Sequence, residues 1–150
     1  MIYIKPLPYK AIREQLKKTD VISIVDCLSC AQTSGFHEGR MRELALRLRA
    51  YGFHIKDGFS IPSGCSPKAL SVRKDDERTV LLALCCSAGY YNLCRYFPEC
   101  RVIICAEDVG LMTADSEKKE ISVVLTDHAY RSSLNEKYPL FGDDSATFWR

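Results

Sequence analysis

The spacing of hydrophobic positions along this chain changes from one stretch to the next. Tyr9, Ile12 and Leu16 fall three and four residues apart among Arg13, Glu14, Lys17 and Lys18, which predicts a short amphipathic helix over residues 8–18, closed at Thr19-Asp20. Val21 to Val25 is β-branched and almost continuously apolar, the pattern of a strand buried on both faces, and it stops at Asp26-Cys27. After a Ser/Gly-bearing loop, Met41, Leu44, Ala45 and Leu48 recur at helical spacing among arginines, with Gly52 placed to end that helix in a left-handed conformation. Phe53, Ile55, Asp57, Phe59 and Ile61 then alternate with His54, Lys56, Gly58 and Ser60, as a half-exposed strand would.

A charged connector, Arg73 to Arg78, leads to a second buried strand at Val80–Leu84. Tyr90, Leu93, Cys94 and Phe97 mark one face of a helix ended by Pro98. Val102–Ile104 is a third buried strand and Ile121–Leu125 a further one, after which an aromatic tail (Tyr138, Phe141, Phe148, Trp149) is expected to wrap the surface. There is no repeat, low-complexity tract or linker, so residues 1–150 read as one domain. Strands alternating with helices predict an α/β fold: a single three-layer Rossmann-like domain with a mainly parallel sheet of four or five strands. In such sheets ligands bind beyond the carboxyl ends of the strands.

Composition narrows the function classes. The chain has 150 residues, is 47% hydrophobic and 27% charged, and carries a formal charge of only +2, so no broad field steers it to nucleic acid or an anionic membrane. The longest apolar run, Val80 to Cys86, is far short of the ~20 residues a membrane helix needs. With no export signal pattern near the N-terminus, the expected compartment is the cytoplasm. The eight cysteines are then thiols, and a core of this size needs no crosslinks, so their number points to metal binding or thiol chemistry.

The strand assignments place Cys27 and Cys30 after the first buried strand, Cys85 and Cys86 after the second and Cys105 after the third, all at one sheet edge. Cys65, in a Pro/Gly-flanked loop, reaches the same edge; Cys94 and Cys100 travel away with their helix. Cys27, Cys30, Cys65 and Cys86 are the best ligand set for a thiolate metal site, zinc or an iron–sulfur cluster, with Cys85 in reserve because strand alternation sends only one of the neighbouring pair toward a given point. A second reading uses the same residues as a redox-active dithiol: Cys27/Cys30, or Cys86, whose position directly before a helix lowers a thiol pKa. In a third, the cysteines are buried structural residues of an interaction domain. No glycine pattern supports a nucleotide site.

The stretch from Asp20 through Cys27-Leu-Ser-Cys30-Ala to the helix ending at Gly52, and the apolar strand followed by Cys85-Cys86-Ser87-Ala88-Gly89, resemble the methylenetetrahydrofolate reductase C-terminal domain family, which includes the small cysteine-rich partner subunit of acetogen-type reductases. The resemblance covers about residues 5–112, places Cys86 and Gly89 at a family cysteine and glycine and Cys65 at a loop cysteine, and leaves 113–150 as a divergent extension. Ser87 stands where the family has a first glycine, and Gln32, Thr33 and Ser34 stand where a further cysteine is common. The resemblance implies a zinc- or iron–sulfur-binding accessory domain in one-carbon metabolism, acting beside a flavin-containing reductase subunit.

Other polar residues carry milder expectations. His37, Glu38 and Arg40 read as an exposed helix start and His54 as a solvated side chain. Glu107-Asp108 sit where they bind a cation or amine, or cap the next helix. Asp127-His128 are given no role, since neighbours on a strand face opposite ways.

Overall fold

A computed structural model describes residues 1–70, 77–143 and 147–150, so only Glu77 and Arg78 of the expected charged connector lie within the described residues. The chain runs β1 (Ile2–Pro6), α1 (Tyr9–Arg13), β2 (Val21–Cys27), α2 (Cys30–Thr33), α3 (Glu38–Ala50), β3 (His54–Ile61), β4 (Val80–Leu84), α4 (Ser87–Tyr96), β5 (Arg101–Ile104), β6 (Ala106–Asp115), β7 (Glu120–Thr126) and β8 (Lys137–Pro139). Short 3-10 turns occupy Pro67–Ala69 and His128–Ser133.

Two four-stranded sheets result, one in the order β3-β2-β4-β5 and one in the order β1-β6-β7-β8. The first is parallel throughout, with Ile22 opposite Ile55 on one side and Val80 on the other, and Val80 opposite Arg101. Its two central strands are the apolar runs of the sequence, and β4 is buried at every position. Helix α3 packs on β2 and β3, α4 packs on β5, and Gly52, at φ +101°, ends the α3 segment as its position requires.

The second sheet is antiparallel throughout and corrects the expected fold: the chain is not a single Rossmann-like domain with one mainly parallel sheet. The physical reason lies in the connections. Strand β5 runs through Cys105 into β6 without a helix, and β6 turns into β7 over residues 116–119. A parallel return needs a crossover of about a dozen residues or more, so so short a link forces an antiparallel hairpin, and Ile121–Leu125 joins the second sheet. The N-terminal residues close that sheet from the other side, β1 lying against β6.

The main core gathers the parallel sheet, α3, α4 and the last residues of the chain; a smaller cluster of Tyr3, Cys30, Val109, Met112, Ile121 and Val123 lies on the antiparallel sheet. Trp149 is 2% exposed and donates from Nε1 to the Arg40 carbonyl at 2.8 Å, packing edge-on against Phe36. The aromatic tail thus ends inside the core instead of lying on the surface. Among the described residues no helix is long and apolar enough to cross a membrane.

Candidate functional site

The carboxyl ends of β2, β3, β4 and β5 fall together because the four strands are parallel, and cysteines follow three of them. Cys27 is the last residue of β2, 5% exposed, and its sulfur accepts the Gly64 N–H at 3.3 Å. Gly64 belongs to the loop after β3 and lies against Gly89 of α4, where a Cβ on Gly64 would meet Gly89 Cα at 3.1 Å. The Asn92 side-chain amide holds the same loop through the Gly64 carbonyl at 3.0 Å. Cys65, next along, is exposed and bonds Ser63 Oγ at 3.2 Å.

Cys30 opens α2, and this single turn carries it away from Cys27 toward β1. Cys30 Sγ accepts the Ile2 N–H at 3.2 Å, and Ser34 Oγ, four residues on, accepts the Ile4 N–H at 3.2 Å. The two side chains thereby cover the outer edge of β1, the edge strand of its sheet. Cys86 is the N-cap of α4. Its thiol and that of Cys30 interact with each other, and the Gly89 N–H at the start of α4 acts on Cys86. The Cys30–Cys86 contact therefore joins the cluster of the antiparallel sheet to the main core.

The two thiols differ sharply in acidity. Cys30 is lowered from 9.0 to about 6, chiefly by the hydrogen bond from Cys86, with the Ile2 N–H adding to it and burial opposing it. Cys86 is pushed far up, because its proton is held by Cys30 and because it is buried. The helix N-terminus was expected to acidify Cys86; the acidic member is its partner. Cys85, 1% exposed, is raised by burial first and then by Cys27, Cys105 and Asp108 around it. Cys105 is wholly buried, raised by that burial, and donates to the Ile103 carbonyl at 3.7 Å.

Of the four expected metal ligands the fold brings Cys30 and Cys86 into contact, directs Cys27 to a backbone amide and leaves Cys65 at the surface beside Ser63. Among the described residues no three His, Cys, Asp or Glu side chains are arranged to hold a metal ion. As placed, the four thiols do not form a tetrahedral set.

One participant escaped the sequence reading, and a second was seen there with another partner. The backbone of β1 supplies an N–H to Cys30, a contribution that leaves no signature in residue type. Asp108 Oδ1 and Oδ2 accept from the Ser87 N–H at 3.0 Å and the Ser87 hydroxyl at 2.6 Å, so it caps the helix before it and not the next one. Asp26, 2% exposed at the end of β2, has its carboxyl pKa raised by burial, while a hydrogen bond with Ser60 opposes the rise. Asp127 accepts the Ala129 N–H at 2.8 Å, and the side chain of His128 lies outside the described set. Compared with family models, curated proteins and solved structures, the chain matches none.

Proposed function

We propose that this chain is a thiol-redox protein whose working pair is Cys30 and Cys86. The supporting observation is their contact: one thiol donates to the other, leaving an acidic acceptor at about 6 and a protonated donor within bonding reach. The Cys30 thiolate attacks a sulfur of a small disulfide, whose S–S bond breaks as one thiolate leaves. Cys86 then gives up its proton and attacks Cys30 Sγ, releasing the second thiolate. Two electrons pass to the disulfide, which becomes two thiols, and the protein holds a Cys30–Cys86 disulfide. Exposures of 8% for Cys30 and 5% for Cys86 favour a small oxidant and closure of the internal bond.

The experiment is equilibration in glutathione buffers of graded potential, followed by disulfide mapping. One Cys30–Cys86 bond, absent in Cys30→Ser and Cys86→Ser, is expected. Free thiols at both positions in the most oxidising buffer overturn the reading.

Metal binding by Cys27, Cys30, Cys65 and Cys86 is the second reading, favoured by the Gly64–Cys27 hydrogen bond that brings the Cys65 loop to the end of β2. It requires Cys65 to turn inward and Cys86 to release Cys30, and it predicts stoichiometric zinc, or iron with sulfide, in protein purified without oxygen. A flavin-containing reductase, the partner implied by the family resemblance, is a source of the electrons that reopen the disulfide. A reducing cytoplasm suits a pair that rests as thiols.

A further inference from the structure

Cys27 and Cys85 stand at the ends of two neighbouring strands. The ladder between β2 and β4 runs in step from Ile22 opposite Val80 to Asp26 opposite Leu84, so the next step along each strand sets Cys27 beside Cys85. Facing residues of adjacent strands are about 4.8 Å apart along the hydrogen bonds, inside the roughly 4.4–6.8 Å that a disulfide spans between Cα atoms. The loop and the helix packed there locate both sulfurs. A Cβ on Gly64 would lie 3.9 Å from Cys27 Sγ, and one on Gly89 would lie 3.0 Å from Cys85 Sγ and 3.5 Å from Gly64 Cα. The two sulfurs therefore border one contact between two glycines, where no side chain stands between them.

The other thiols around Cys85 are placed differently. Ala83 lies opposite Ile104, which sets Cys105 one step out of register with Cys85, and the Cys105 thiol donates to the Ile103 carbonyl at 3.7 Å. Cys94, on α4, interacts with Tyr90 of the same helix. Cys86, the next residue along the chain, interacts with Cys30.

We propose that Cys27 and Cys85 are a second dithiol, closed into a disulfide between β2 and β4 by a small hydroperoxide. Exposures of 5% for Cys27 and 1% for Cys85 favour an oxidant the size of hydrogen peroxide. The sulfur of Cys27, the less buried of the two, attacks a peroxide oxygen; the O–O bond breaks, and the thiol proton leaves in a molecule of water. The sulfur of Cys85 then attacks Cys27 Sγ, the S–O bond of that sulfenic acid breaks, and a second water carries off the Cys85 proton. The two thiols lose two electrons, and one peroxide is reduced to two waters. The bond uses thiols that the Cys30–Cys86 reading leaves aside and does not depend on it.

The test treats the full chain with hydrogen peroxide, alkylates the remaining thiols in denaturant, and assigns linked cysteines by fragmentation mass spectrometry. It is run on the wild type and on the Cys30→Ser/Cys86→Ser double variant. Both are expected to carry a Cys27–Cys85 link, the double variant losing two alkylatable thiols per chain, and Cys85→Ala is expected to lose the link. Cys27 and Cys85 left unlinked in the wild type, or Cys85 linked instead to Cys94 or Cys105, overturn the inference; the wild type decides alone should the double variant not fold. The two readings fail separately. A Cys27–Cys85 link after peroxide, with Cys30 and Cys86 free in the most oxidising glutathione buffer, upholds this inference and overturns the reading of Cys30 and Cys86.

Discussion

Cys30 is the residue whose ionisation couples folding to pH near neutrality. Its thiol falls from 9.0 to about 6 on folding, so between those values the unfolded chain holds a proton there that the folded chain has released. Stability therefore rises with pH across that window; the contribution is complete above the unfolded value and gone below about 6. Cys85, Cys86 and Cys105 act in the opposite sense, because their raised values cost stability once unfolded thiols ionise above pH 9.0. The urea midpoint is expected to climb from pH 6 to about 9 and then turn down. Cys30→Ser should abolish the climb and keep the downturn; a serine variant that climbs as the wild type does would assign the effect elsewhere. The sequence made the thiols visible but not their pairing. Cys27-x-x-Cys30 is one pair by spacing, yet Cys27 keeps the register of β2 and bonds Gly64, while α2 swings Cys30 to β1 and Cys86. An interaction across 55 intervening positions of chain, between residues 30 and 86, has no local sequence signal.

Element α2 is one turn long, and its contribution is to cover an edge. Residues four apart on a helix share a face, so Cys30 and Ser34 reach alternate outward amides of β1. Ile4 is 1% exposed and its N–H donates to the Ser34 hydroxyl, so removing that hydroxyl costs about 1–3 kcal/mol for a buried donor. Ser34→Ala should destabilise the chain by about that amount and speed hydrogen exchange at Ile4 more than at Leu82 in the centre of β4. Equal changes at both amides would mean that Ser34 does not guard this edge. The elements legible in sequence are those with clean periods: β2 and β4 as apolar runs, α3 and α4 as helical repeats. Strand β6 was not, because its buried residues Ala106, Val109 and Met112 fall three apart. The ladder is irregular there: Val109 is a bulge with no opposite residue on β1, and the pairing with β7 shifts at Leu111/Met112, where Val124 of β7 is left unpaired. Alternation, the only signal of a lone strand, is broken where the ladder is.

At the scale of the whole molecule, the parallel half follows from the alternation of strands and helices, and the antiparallel half from the absence of a helix after β5. What sequence periodicity did not show is how the halves are tied. The chain crosses between them at Cys105, whose N–H bonds the Ala83 carbonyl of β4 while its own carbonyl accepts from Leu7 after β1, both at 2.9 Å. The last residues tie the helical side. Trp149 enters the core edge-on to both Phe36 and Phe148, donates to the Arg40 carbonyl at 2.8 Å, and its carbonyl accepts from the Arg47 guanidinium, so α3 is held at two of its turns. Tyr9 N–H bonds the neighbouring Arg150 carbonyl at 2.8 Å, which brings α1 to the same point. Of the aromatic tail read as surface wrapping, Phe141 is exposed, but the terminal Trp149 is a wedge between α1 and α3, and removing its side chain leaves a cavity the size of an indole. Trp149→Ala should cost about 3–5 kcal/mol, while Trp149→Phe, which keeps most of the packing and loses the Nε1 bond, should cost clearly less. Urea unfolding followed by circular dichroism measures both. A loss below about 1 kcal/mol for the alanine variant would show that the tail rests on the core without helping to hold it.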